Sequence, residues 1–268
     1  MKKKIFKGLI LAVAAVALVV ASVLGTIAYL TASSAVSNVF TVGNVSITMF
    51  ESKVNSDGTV VSPKVEVDTN SYHLVPGATY VKDPTIRILS DFATPNGTPD
   101  KMYLFVKSRN QIREIEPGNA TDATSETPKS MRQQMEDNGW VQLVKSGDGI
   151  EIIWVYGTRQ SDGTIVPIAV DVNSNQGKGG LNGEFRLCES FTIASNADVS
   201  LYAAAKVNFT GFAIQSTGFT SAEAAWKAIM DTYPYEGGIA GAKNPYDATK
   251  DPYAPVPTTS TDSGNTDN

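Results

Sequence analysis

The chain holds one histidine, His73, and one cysteine, Cys188, among 268 residues. That inventory restricts its chemistry at once. A Ser-His-Asp triad or a zinc centre would have to use His73, in SYHLVPG. Zincins need two histidines one helical turn apart with a glutamate between them, and the chain has no HExxH. His73 therefore reads as a surface or strand-edge residue. One cysteine allows no intrachain disulfide and no thiolate cage. In FRLCESFTI its neighbours alternate, so Cys188 reads as a small, half-buried strand residue. There is no GxSxG, no P-loop, and no GxGxxG after a strand. GKGG (177–180) lies in an Asn/Gly-rich stretch and reads as linker.

The 27 acids supply candidates for paired carboxylates, but Asp57, Asp91, Asp100, Asp148 and Asp162 fall at turns, where solvation accounts for them. NSDGT (55–59) and QSDGT (160–164) each resemble part of a calcium loop without completing it. Trp140, Trp154, Tyr156, Phe185, Phe191, Phe209 and Phe212 sit on strand periodicities and read as core; a sugar-stacking platform is the alternative. No catalytic, cofactor or metal residue is assigned.

The net charge is −5, and four of the positive charges, Lys2, Lys3, Lys4 and Lys7, stand at the N-terminus. The rest of the chain is more acidic still and has no basic stripe, which argues against a nucleic-acid partner. Residues 8–30 carry no charge. That run exceeds the 7–15-residue core of a usual signal peptide and reaches the ~20 residues that span a bilayer. Length thus favours a retained anchor. Small residues favour removal: Thr26 and Ala28 flank a cut before Tyr29, and Ser33 and Ala35 offer a second site. No stop charge comes after the span, since the first charged residue after Lys7 is Glu51. Cleavage is the expectation, giving a signal peptide over 1–28 and membrane attachment only through an uncleaved leader.

Beyond the leader, period-two alternation marks strands. Val45, Ile47 and Met49 point one way and Asn44, Ser46 and Thr48 the other. Further strands are read at 60–67 (held to an edge by Pro63), 85–88, 102–110, in EIIWVYG and TIVPIAV joined by Ser161-Asp162-Gly163, at 184–195, and at 207–214. Pro76-Gly77 suits a type II turn. Two short helices are read. One spans 127–140, with Thr127 as cap, Pro128 at its first position and Gly139 at its end. The other spans 220–233, with a capping box of Thr220 and Glu223 and a packing face of Ala225, Trp226 and Ile229. Residues 173–183 read as a flexible loop and 243–268 as a disordered polar tail. The fold class expected is all-β dominated: a jelly-roll or Ig-like β-sandwich over 29–242 with one or two short helices, preceded by a hydrophobic signal helix.

The N-terminal residues carry a further pattern. Thr26, Ala28, Tyr29, Leu30, Thr31, Asn38, Phe40, Thr41, Gly43, Val45, Ile47, Met49 and Glu51 fit T-x-A-Y-[FL]-T followed by N-x-F-T-x-G-x-V-x-I-x-[LM]-x-E. LVPGATYVKDPTIRI fits L-x-P-G-x-x-x-x-K-D-P-x-[VI]. Together they resemble the SipW-dependent, TasA/camelysin (CalY)-like secreted proteins of Gram-positive bacteria. The resemblance covers most of residues 1–230; Cys188 and the polar tail depart from it. It implies a dedicated SipW-like signal peptidase as partner, cutting near Ala28 and Tyr29. It also implies a jelly-roll-like sandwich, secretion to the cell surface or biofilm matrix, and no cofactor. In matrix-fibre members it implies assembly by donation of the freed N-terminal strand, here Tyr29, Leu30, Val36, Val39, Phe40 and Val42. Residues 29–42 are uncharged and free of proline, as a donor strand requires. The alternatives are a camelysin-like surface metallopeptidase, for which no ligand set matches, and an adhesive or ligand-binding surface module.

Overall fold

A computed structural model describes residues 31–42, 45–89, 100–117, 128–177 and 180–233. The strands are β1 (Thr31–Val42), β2 (Ile47–Ser52), β3 (Glu66–Val67), β4 (Thr69–His73), β5 (Thr79–Val81), β6 (Thr85–Ile88) and β7 (Met102–Asn110). They continue with β8 (Trp140–Lys145), β9 (Glu151–Arg159), β10 (Ile165–Pro167), β11 (Glu184–Arg186), β12 (Ser190–Thr192) and β13 (Lys206–Gln215). Two helices, α1 (Met131–Asp137) and α2 (Ala222–Thr232), complete the framework with short 3-10 turns at Arg113–Ile115 and Val199–Tyr202.

Seven strands form one sheet in the order β10-β9-β7-β13-β1-β4, with β8 also paired to β9. A second sheet runs β11-β6-β2-β3, and β12 pairs with β5. The protein is thus β-dominated, with two main sheets face to face, as a β-sandwich requires. The inner face of the large sheet supplies Leu104, Val106, Trp154, Val207 and Phe209, packed with Ile47, Met49, Ile86 and Phe185. Its outer face supplies Phe105, Ile153, Val155, Phe212 and Ile214, covered by Trp226, Ile229 and Met230 of α2. This explains why β7 and β9 read as nearly continuous apolar runs: both of their faces are buried. Gly211 of β13 faces Met49 and Ile47 of β2 across the core. A Cβ there would sit 2.7 Å from Met49 Sδ.

Local signals account for most boundaries. Gly77 has φ +79°, and the Ala78 N–H donates to Val75 O at 3.1 Å, closing the turn expected of Pro76-Gly77. The strand expected over 60–67 is reduced to the two-residue edge strand β3 after Pro63, with Val60 making only an isolated bridge to Val54. Gly139 ends α1 at φ +85°.

Other boundaries differ from expectation. The cap of α1 is Ser130, which forms a capping box with Gln133. Pro128 lies before the helix, and Thr127 is outside the described residues. Ser130 prevails because Ser-x-x-Gln satisfies two orphan amides reciprocally. The Met131 N–H is taken as well, by Glu116 Oε1 at 2.8 Å. In α2 the cap is Ser221, which accepts from the Ala224 N–H; Glu223 stands in the first turn without closing a box with Thr220.

The single strand expected over 184–195 is two, because β11 pairs with β6 and β12 pairs with β5. Cys188 sits in the break, fully buried rather than half-buried. Burial pushes its thiol well above the usual range, and its Sγ–H donates to Lys82 O at 3.4 Å. The loop expected to be flexible at 173–183 is tied down in its described part. Gln176 Nε2 donates to Asn138 O (2.8 Å) and Arg186 O (2.7 Å), and its Oε1 accepts from the Arg186 N–H at 2.7 Å. The leader and the tail from 243 lie outside the described residues.

Candidate functional site

The structure places the expected donor segment inside its own large sheet. The backbone of β1 runs parallel to β13 on one side and antiparallel to β4 on the other. Against β13, Ser33 is in register with Lys206, Val36 with Phe209, Val39 with Gly211, Phe40 with Phe212 and Val42 with Ile214, with an irregularity between Val36 and Val39. Against β4, Thr31 meets His73, Ser33 meets Ser71 and Ala35 meets Thr69.

Three features distinguish this strand. First, β1 is an interior strand, between β13 and the edge strand β4. Without it β4 would lose its only described partner in the large sheet, and β13 would become an edge. Second, the C-terminal side of β1 leads within a few residues into β2 of the other sheet, so a cut before Tyr29 would leave the strand tethered at that end alone. A strand tethered at one end leaves or enters a slot without rethreading the chain. Third, β4 covers only Thr31–Ala35, so among the described strands Val36–Val42 are paired on one side alone. Unpaired backbone groups of that kind are a template for strand addition. At the other end of the sheet, Pro167 of β10 has no N–H to offer a further strand.

Of the cleavage residues, Thr26, Ala28 and Tyr29 lie outside the described residues, as does Leu30 of the donor set. Ser33 and Ala35 lie within β1, paired on both sides. A cut at this second site would remove the segment that holds β4, whereas a cut before Tyr29 would leave β1 whole.

Beneath β4 lies a polar cluster that joins the two separate sequence motifs. Lys82 Nζ meets Glu51 Oε2 at 2.7 Å, and both side chains are 0% exposed. Asn70 of β4 adds its Nδ2–H to Glu51 Oε1 at 2.9 Å and to Ser52 O at 2.9 Å. Asp83 accepts from the Ser52 N–H (2.7 Å) and from its hydroxyl (2.5 Å). The Lys-Asp pair of the KDP segment thus grips the Glu-Ser end of β2. Sequence reading missed Asn70, although its signal was available: Asn70 and Tyr72 are buried while Thr69, Ser71 and His73 are exposed, the alternation of a half-buried strand.

No known family model, curated protein or solved structure matches the chain.

The remaining candidates take ordinary structural places. His73 is exposed at the end of the edge strand β4. Among the described residues no group of three His, Cys, Asp or Glu side chains could hold a metal ion. Asp57 Oδ1 accepts from the hydroxyl and N–H of Thr59, and Asp162 Oδ1 from the Thr164 N–H. Those bonds hold both carboxyls below their ordinary range, and they are Asx-type turns. All seven aromatics considered for stacking are buried. Among the described residues no helix is long and apolar enough to cross a membrane.

One buried acid makes stability depend on pH. Glu116 accepts from Asn110 Nδ2 at 2.7 Å and from the Met131 N–H, but burial outweighs these bonds and pushes its carboxyl from 4.5 up to about 7. Between those values the unfolded chain releases its proton while the folded chain keeps it. The folded state then holds more protons, so stability falls as pH rises through that window, by on the order of 3 kcal/mol in total. Urea midpoints measured across the window are expected to show this decline, and Glu116→Gln is expected to flatten it.

Proposed function

We propose that the chain is a secreted, non-enzymatic structural protein of the cell surface or biofilm matrix, of the TasA/camelysin-like type. In this reading it folds as a jelly-roll-like sandwich and assembles when β1 of one protomer occupies the β13–β4 slot of the next. The observation that carries the reading is the position of β1: an interior strand between β13 and β4, which a cut before Tyr29 would make the first strand of the chain. The same backbone bonds that hold it within one chain serve equally between chains. The uncharged, proline-free stretch 29–42 and the intact β1 left by a cut before Tyr29 support it further. The partners are a SipW-like peptidase, which frees the strand, and further copies of the chain or other matrix proteins.

A reversible lock tests this. Ser33 and Ser71 are cross-strand neighbours, and Cβ atoms of such pairs lie ~4.5–5.5 Å apart. A chain starting at Tyr29 with Ser33→Cys and Ser71→Cys is expected to stay monomeric when oxidised and to form linear assemblies when reduced, as seen by light scattering and electron microscopy. Equal assembly in both states, or monomers in both and in the unsubstituted chain, would defeat the strand-donation reading. Chelator-sensitive casein cleavage by the same material, lost in His73→Ala, would instead establish the metallopeptidase.

A further inference from the structure

The buried cluster beneath β4 holds an amine and a carboxamide against one shared carboxylate, and the strand-donation reading uses none of them chemically. Glu51 bridges the other two, one oxygen on Lys82 Nζ at 2.7 Å and the other on Asn70 Nδ2 at 2.9 Å. Lys82 and Glu51 are fully buried and Asn70 is 5% exposed. Lys82 Nζ also lies 5.4 Å from the centroid of the Phe209 ring. The Val54 N–H donates to Asn70 Oδ1 at 2.9 Å, where negative charge would gather if the amide carbon were attacked.

We infer that Lys82 and Asn70 become joined by an amide bond that the folded chain makes itself, with Glu51 carrying the protons. Glu51 takes one proton from the Lys82 ammonium. The free amine adds through Nζ to Asn70 Cγ, and the Val54 N–H stabilises the developing oxyanion, as fixed backbone donors do in acyl transfer. The carboxyl passes its proton to Nδ2, the Cγ–Nδ2 bond breaks, and ammonia leaves. Nζ loses its second proton to Glu51, and the ammonia departs uncharged. One C–N bond forms and one breaks, an alkylammonium, a carboxylate and a carboxamide become a secondary amide, a carboxyl and ammonia, and nothing is oxidised or reduced. Glu51 ends as a neutral carboxyl, so no uncompensated charge is left buried.

Two physical conditions favour the step. Holding both reactants against one carboxylate replaces an encounter in solution with a positioned one, which removes much of the entropic part of the barrier. Burial, by excluding solvent, disfavours hydrolysis of the product and lowers the cost of moving a proton from ammonium to carboxylate, since separated buried charges are themselves costly. The bond would clamp β4, one wall of the β1 slot, to the segment after β5. The wall would then stay in place while the slot is empty.

Peptide mass mapping of the folded full-length chain tests this. Lys64, Lys82 and Arg87 are successive tryptic sites, so Asn70 and Lys82 fall in one stretch. The expected product spans 65–87, is uncut after Lys82, is lighter than its sequence by one ammonia, and yields no backbone fragments from within 70–82. Cleavage after Lys82 with the full sequence mass would overturn the inference and leave a simple buried ion pair. An ammonia loss with Lys82 still cut would also overturn it, because that is a succinimide at Asn70. Glu51→Gln is expected to give the uncut, lighter peptide at less than a tenth of the wild-type yield; undiminished yield would remove Glu51 from the mechanism.

Discussion

A chain that begins at Gly43 is expected to lose most of its stability and to regain it when the peptide TASSAVSNVFTV is added. Eight residues of β1 have registered partners on β13 and five on β4. A net hydrogen bond contributes about 0.5–1.5 kcal/mol, and an unmet buried group costs about 1–3. Losing that many pairings removes on the order of 5 kcal/mol or more, against the 5–15 kcal/mol of a whole domain. The effect should be concentrated in β4, which keeps side-chain anchors such as the Asn70 cluster, the Tyr72 hydroxyl on Val81 O (2.9 Å) and the Tyr72–Phe191 contact (ring centroids 5.0 Å apart) but loses its strand partner in the large sheet. Urea unfolding followed by tryptophan fluorescence measures the loss, because Trp154 and Trp140 are both buried in the inner core. Added peptide should raise the midpoint in proportion to the logarithm of its concentration, as for any ligand that binds only the folded state. A scrambled peptide of the same composition should not. An unchanged midpoint without peptide would show that β1 is not a structural strand, and strand donation would then lose its basis.

How much of the fold was legible from sequence depended on the range of the interaction. Apolar patterning found β2, β6, β7, β9 and β13: alternation where one face is buried, and near-continuous apolar runs in β7 and β9, whose faces are both covered. Turns were legible where a single residue type decides the geometry, as at Pro76-Gly77. Helix caps were misplaced by one residue at Ser221 and by three at Ser130. Thr and Ser are nearly equivalent caps, and tertiary groups such as the Glu116 carboxylate decide between them. The break at Cys188 was hidden because Phe185, Leu187, Phe191 and Ile193 keep one parity across it while the hydrogen-bond partner changes from β6 to β5. Pairing was the least legible layer. Nothing local in residues 31–42 says that they lie parallel to a strand that begins at Lys206. For the cluster, the fitted motifs contained Glu51 and Lys82 but placed them 31 positions apart; only the fold shows that one is the other's counter-ion, with Asn70 between β4 and both.

That counter-ion pair sets up the second large effect, on the stability of Lys82→Met compared with Lys82→Met combined with Glu51→Leu. Neither variant can form the Lys82–Asn70 bond, so their difference isolates the charge. In the single variant Glu51 stays 0% exposed and keeps the Asn70 Nδ2–H as a donor, but it has lost its cation. Breaking a buried pair by removing one partner typically costs about 3–5 kcal/mol, whereas replacing both by apolar groups of similar volume is often neutral or better. The double variant is therefore expected to be the more stable of the two by on the order of 3 kcal/mol, with a correspondingly higher denaturation midpoint. Two residues that merely fill space would instead give costs that add. The location makes this consequential for assembly as well. Glu51 belongs to β2 in one sheet, and Asn70 belongs to the wall of the β1 slot in the other. An uncompensated carboxylate at that junction pushes the wall outward, so the single variant should hold β1, or the peptide TASSAVSNVFTV, more weakly than the double variant does. If the two bind the peptide equally while differing in stability, the cluster supports the core alone and the slot wall stands without it.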